Sequence, residues 1–214
     1  MFLKTKKKDS KQAVGGEIAY YNLEDWWLNI LTEEERKTIK KTYVPIEGSE
    51  RAQGIDEGKI SLSSSSKISF FMTLSSWFIK PEYYTIAKKI LSEAEKYVHE
   101  TDDSIGLHFH YLSCIEIHYR NRNEDEEALN LAIEYCKKQI SNSSKAKKAF
   151  KKLYPNADLP THTGYRQLAI IYEKQGDIQE AIRITEAAIK EGWNKDDGIK
   201  RITRLKKKLT KIKG

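Results

Sequence analysis

The chain has 214 residues, a net charge of +7, and 39% hydrophobic residues against 32% charged ones, which suits one domain or a short helical array with its own core. Only four prolines are present, and the longest apolar-leaning stretch, residues 69–79, falls far short of the ~20 residues that a membrane-spanning helix requires. These features exclude collagen-like, low-complexity and membrane-embedded chains, while Cys114 and Cys136 are too few for a disulfide framework and fit a reducing compartment.

Taken in chain order, Met1-Phe2-Leu3 runs into Lys4, Lys6, Lys7 and Lys8 without the apolar run of a secretory signal, so a cytoplasmic location is expected. Residues 1–16 read as a disordered basic arm ending at Gly15-Gly16. Residues 17–58 read as an N-terminal helical pair and a loop. Ile18, Tyr21, Trp26, Trp27 and Ile30 predict a helix over 17–30, and Thr32 with Glu35 forms a Thr-x-x-Glu capping box for a second helix to about Tyr43. Pro45 and three glycines make residues 44–58 a loop. The serines of 61–66 lead into the next helix, since serine caps well.

From residue 66 onward the chain repeats itself. Phe71, Leu74, Ser75 and Phe78 are followed by Ala87, Leu91 and Ala94. The same spacing returns 41 residues later in Leu112, Ile115, Glu116, Tyr119, Ala128, Ala132 and Tyr135, and 53 residues further on in Tyr165, Leu168, Ala169, Tyr172, Ala181, Thr185 and Ala188. Intervals of three and four hold one helical face together, and a small alanine nine residues after the last aromatic lets a second helix approach closely. Residues 59–195 therefore read as three helical hairpins, at about 68–97, 109–138 and 162–191, with 144–153 as an additional short helix. These residues resemble the tetratricopeptide repeat, with its Trp-x-x-Leu-Gly-x-x-Tyr and later Ala-x-x-x-Phe over about 34 residues. Leu168-Ala169-x-x-Tyr172, Gly176-Asp177 and Ala181 carry the closest match.

After the repeats, Ile199, Ile202, Leu205, Leu209 and Ile212 form an apolar stripe on a helix otherwise rich in Lys and Arg, and residues 196–214 read as the polar-backed cap that ends a solenoid. Charge follows this division. Residues 1–11 carry five lysines against Asp9, residues 195–214 carry nine basic residues against Asp196 and Asp197, and the body between is mildly acidic. A further basic cluster stands at Lys145, Lys147, Lys148, Lys151 and Lys152.

No Gly-rich phosphate loop, Gly-x-Ser-x-Gly, His-Glu-x-x-His or Cys-x-x-Cys occurs, and the paired carboxylates at Glu33/Glu35, Glu124/Glu127 and Asp102/Asp103 fall in helix first turns or connections. His110, Cys114 and His118 share a helix face, but the two histidines are about 12 Å apart along it, too far for one ion. A site built on Cys114 and one histidine would need completing from elsewhere. No enzyme, metal or cofactor is expected.

The resemblance implies an all-α, right-handed α-α superhelix that binds a protein or peptide segment in a concave groove, as a non-enzymatic adaptor. Its outward positions map to Ser69, Met72, Ser76 and Ile79, then His110, Ser113, Ile117 and Arg120, then Thr163, Arg166, Ile170 and Glu173, with Arg120 and Arg166 expected to clamp a carboxylate or carbonyl. The alternatives are a nucleic-acid-associated protein using its basic ends and, behind it, a metal-binding protein or enzyme built on the histidine cluster.

Overall fold

The computed structural model describes residues 14–44 and 54–213; the expectation of a basic arm over residues 1–13 lies outside them. Among the described residues all regular structure is helical, with no strand, and no helix is long and apolar enough to cross a membrane. The chain divides between Ser64 and Ser65 into two compact units.

The first unit is built on a short helix, α1 (Gly16–Tyr20), a single π-helical turn at Trp26–Ile30, and α2 (Glu33–Thr42). The expected continuous helix over 17–30 is broken because Asn22 adopts a left-handed backbone, φ 55°, a conformation that asparagine tolerates. The unpaired N–H groups opening α1 go to the 54–58 segment. Gly15 donates to the Asp56 carbonyl at 2.7 Å, Gly16 to Gly58 at 2.9 Å and Ile18 to Ile55 at 3.1 Å. Gly16 sits at φ +58°, and a Cβ there would lie 2.5 Å from the Ile55 carbonyl oxygen. The two glycines thus hold the chain in place instead of ending an arm. Thr32 and Glu35 form the expected capping box. The Arg36 guanidinium donates to the Trp27, Leu28 and Leu31 carbonyls at 3.1, 3.3 and 2.6 Å. Ile18, Leu23, Trp26, Trp27, Ile39 and Ile55 fill the core.

The second unit contains α3 (Lys67–Ser76), α4 (Tyr84–Glu95), α5 (Ser104–Arg120), α6 (Ala128–Leu153), α7 (Thr163–Lys174), α8 (Ile178–Glu191) and α9 (Lys195–Lys213). Each helix packs on its neighbours along the series. α3 lies on α4 and α5, α5 on α6 and α7, α6 on α7, α7 on α8, and α8 on α9. In the first and third hairpins the expected apolar positions are buried, except that Tyr172 is partly exposed. Ala87, Ala128 and Ala181, expected at the helix crossings, are fully buried.

The second hairpin departs from the expected register by one residue. Its helix buries Tyr111, Cys114, Ile115 and His118, whereas Leu112, Glu116 and Tyr119 are partly exposed. The connection explains the slip. Ten residues, not nine, separate the last core position, His118, from Ala128. The added residue lies in a turn that Asn121 closes by donating Nδ2 to the Ile117 carbonyl at 2.7 Å.

Two further expectations are corrected. Residues 144–153 continue α6 without a break, because no Gly or Pro interrupts it and Asn142 and Ser143, at its midpoint, spend their side chains on the Ser104 carbonyl and on Glu191 at 2.9 and 2.6 Å. In α9 the packed face starts from Gly198, where a Cβ would lie 2.9 Å from Ile189. That face runs through Ile202, Leu205 and Leu209, and it turns Ile199 outward at 51% exposure. Leu205 closes a cluster with Ile178 and Ala181, flanked by Tyr172 and Ile182. The expectation for Ile212 lies outside the described side chains.

Candidate functional site

The three leading helices, α3, α5 and α7, lie side by side and run in the same direction. At their starts, Asp103 caps α5 by accepting from the Gly106 amide at 2.7 Å and also accepts from Ser66 and Ser69 of α3 at 2.6 and 2.9 Å. Burial opposes ionisation of Asp103, but these hydrogen bonds prevail and hold its carboxyl below the usual range. At the far ends, Lys174 Nζ of α7 donates to the Tyr119 hydroxyl of α5 at 3.0 Å.

The expected outward residues divide by hairpin. In the first, Ser76 is exposed and Met72 and Ile79 are partly exposed, while the Ser69 hydroxyl is committed to Asp103. In the second, His110, Ser113 and Ile117 are interior, which corrects the sequence expectation, and Arg120 alone is exposed. With the one-residue slip, the equivalent outward positions become Phe109, Leu112, Glu116 and Tyr119, all partly exposed. In the third, Thr163 and Ile170 are partly exposed. Arg166 is exposed, 3.9 Å from Asp197, and lines an open cleft of about 640 Å³ with Asp158, Asn194 and Asp197.

Glu173 does not face an open groove. Its carboxylate takes both Nη atoms of Arg204, with Arg201 and Lys208 at 3.9 and 3.7 Å. The hydrogen bond from Arg204 lowers its carboxyl from the ordinary value. Lys206 lies 3.6 Å from Glu186. Several of the basic residues of α9 therefore complement acidic groups on α7 and α8.

Arg120 and Arg166 are not placed to clamp one group. Arg120 ends α5, whose Tyr119 meets Lys174, and Arg166 lies eight residues before Lys174 on α7, about 12 Å along the helix. The residues brought together are Tyr119, Arg122 and Lys174. The Arg122 guanidinium stands 4.2 Å from the Tyr119 ring centre, and Lys174 Nζ lies 5.6 Å from it. Sequence reasoning missed this group because it depends on the slipped register. Glu116, a charge assigned to a core slot, was the signal that could have revealed the slip.

Behind the face lies an aromatic and imidazole core. His108 stacks on Trp193 with ring centres 5.6 Å apart and meets Phe150 and His162 edge-on at 5.4 and 5.1 Å. Burial lowers His108 to about 4 and His162, further opposed by His108, to about 3. His118 is separate. Its Nδ1 lies 3.0 Å from the Tyr84 hydroxyl, its ring stacks on Tyr135, and burial lowers it to about 4. His110 and His118 thus serve different neighbours, as their axial separation requires. Compared with known proteins, the chain matches no family model, no curated protein and no solved structure.

Proposed function

We propose that the chain is a non-enzymatic interaction module of tetratricopeptide-like hairpins, arranged as a right-handed superhelix whose α3–α5–α7 face is concave and holds a protein or peptide segment. The neighbour-to-neighbour packing supports an array of this kind. So do the buried alanines of all three hairpins and the apolar seating of α9.

One observation carries the binding assignment. Once α5 is read in its structural register, equivalent positions on the three helices form partly exposed or exposed rows, Met72, Leu112 and Arg166, then Ser76, Glu116 and Ile170, with Arg120 and Lys174 at the ends of α5 and α7 and Lys80 in the turn beyond α3. Apolar side chains near the centre and a cation at the end of α5 and of α7 suit an amphipathic segment with an acidic group directed at Arg120 and Lys174. The alternative role in nucleic-acid binding draws less support, because Arg201, Arg204, Lys206 and Lys208 face Glu173 and Glu186. The two free, buried cysteines suit a cytoplasmic setting.

The test is an affinity pull-down from the native cell with paired variants. Tyr119→Ala with Lys174→Ala is expected to lose the protein partner, and Lys206→Ala with Lys207→Ala and Lys208→Ala to keep it. Retention by the first variant and loss by the second contradicts the assignment.

A further inference from the structure

Glu95 closes α4, and His110 and Cys114 stand one turn apart on α5. Their ligand atoms, one oxygen, one nitrogen and one sulfur, lie within 4.8 Å of one another, a convergence of three such groups among the described residues. The cluster sits where the first hairpin meets the second, away from the α3–α5–α7 face.

All the contacts converge on one imidazole nitrogen. His110 Nε2 is 3.3 Å from Glu95 Oε1 and 3.6 Å from Cys114 Sγ. Hydrogen bonding satisfies one of these contacts at a time. With a proton on Nε2, the ring donates to Glu95 and cannot accept from the thiol. Without it, the ring accepts from the thiol and turns a lone pair toward the carboxylate. A cation resolves the conflict, since all three atoms then present lone pairs to the same centre.

Two of the three edges agree with that reading. A tetrahedral zinc ion with bonds of about 2.05 Å to nitrogen, 2.3 Å to sulfur and 2.0 Å to oxygen sets the N···S edge at about 3.6 Å and the N···O edge at about 3.3 Å, whereas the O···S edge of about 3.5 Å requires the Glu95 carboxylate, within 4.8 Å of the sulfur here, to draw in on binding. We propose that Glu95, His110 and Cys114 bind one thiophilic divalent ion, Zn²⁺, and so tie α4 to α5. Sulfur and imidazole donors favour zinc over the hard, oxygen-seeking Mg²⁺ and Ca²⁺.

The surroundings set the terms of binding. His110 and Cys114 are fully buried, whereas the Glu95 and Lys138 side chains are 24% and 33% exposed, which leaves a route in past the carboxylate. Lys138 Nζ lies 2.8 Å from Glu95 Oε2 and competes with the ion for that charge.

Cobalt(II) titration of the chelator-stripped, phosphine-reduced full-length chain tests the site, because a cobalt–thiolate bond gives a charge-transfer band that hydrogen-bonded networks lack. The expected result is a band that saturates at one ion per chain, is displaced by Zn²⁺ but not Mg²⁺, survives Cys136→Ser and disappears in Cys114→Ser. Lys138→Gln, a partly exposed position that leaves the core intact, is expected to tighten Co²⁺ binding by about threefold. A folded wild-type chain with no charge-transfer band overturns the proposal, whether or not Cys114→Ser folds. A band that depends on Cys136, or binding weakened by Lys138→Gln, overturns it as well.

Discussion

Gly164 and Gln139 lock the third hairpin to the second. The Gly164 amide donates to Gln139 Oε1 at 2.5 Å, while Nε2 of the same side chain donates to the His108 carbonyl at 2.7 Å. One buried side-chain amide from α6 therefore joins α5 and α7. Glycine is required for the approach, because a Cβ at residue 164 would lie 2.8 Å from both the Cys136 carbonyl oxygen and Gln139 Oε1.

Gly164→Ala is accordingly expected to push α7 off α6 and destabilise the chain by about 1–3 kcal/mol. Gln139→Leu leaves a buried N–H and a buried carbonyl without partners, at about 1–3 kcal/mol for each group. Urea unfolding of both variants checks the pair, and midpoints equal to wild type would refute the interlock.

The register of α5 is testable by the same measurement. Leu112→Glu, on the partly exposed side, is expected to shift stability far less than Tyr111→Ala, which empties a core position and costs about 3–5 kcal/mol. Equal losses would restore the register in which Leu112 packs inside.

These helices show how far the sequence could be read. The helical class and the Thr32–Glu35 cap were legible because local periodicity and capping chemistry specify them. The α5 register was not, because one extra residue in a turn rotates every side chain on the helix by about 100° without changing its apolar count. His110, Ser113 and Ile117 were misplaced for that reason. The engagement of Glu173 by α9 was also illegible, since the partners stand 31 residues apart, on different helices. The same holds for Glu95, whose position beside His110 and Cys114 depends on how α4 lies on α5.

Deletion of residues 195–214 strips Leu205 and Leu209 from Ile178, Ala181 and Ile182. The truncated chain is expected to aggregate or to melt at a lower temperature. An unaltered thermal transition would remove α9 from the fold's essential parts.

Acid is expected to weaken the second unit in a defined window. His108 and His118 protonate at about 4 and His162 at about 3 when folded, against an ordinary 6.5. The unfolded chain therefore takes up protons first as pH falls below 6.5, and each histidine removes up to about 1.4 kcal/mol of stability per pH unit until its folded value is reached. Urea midpoints should fall between pH 6.5 and 5 and stay level, as far as these groups are concerned, above pH 7. Asp103 and Glu173, whose carboxyls are lowered, add their losses only at more acidic pH. A midpoint constant from pH 7 to 5 would contradict the burial of neutral imidazoles.

The central claim is that the α3–α5–α7 face is where a partner binds, and site-specific photo-crosslinking in the native cell measures it most directly. A crosslinking residue at Leu112 or Ser76 is expected to capture the same protein, with capture reduced by Lys174→Ala, while one at Lys207 on α9 captures neither that protein nor nucleic acid. Crosslinks to nucleic acid from Lys207, with none to protein from Leu112 or Ser76, would contradict the account.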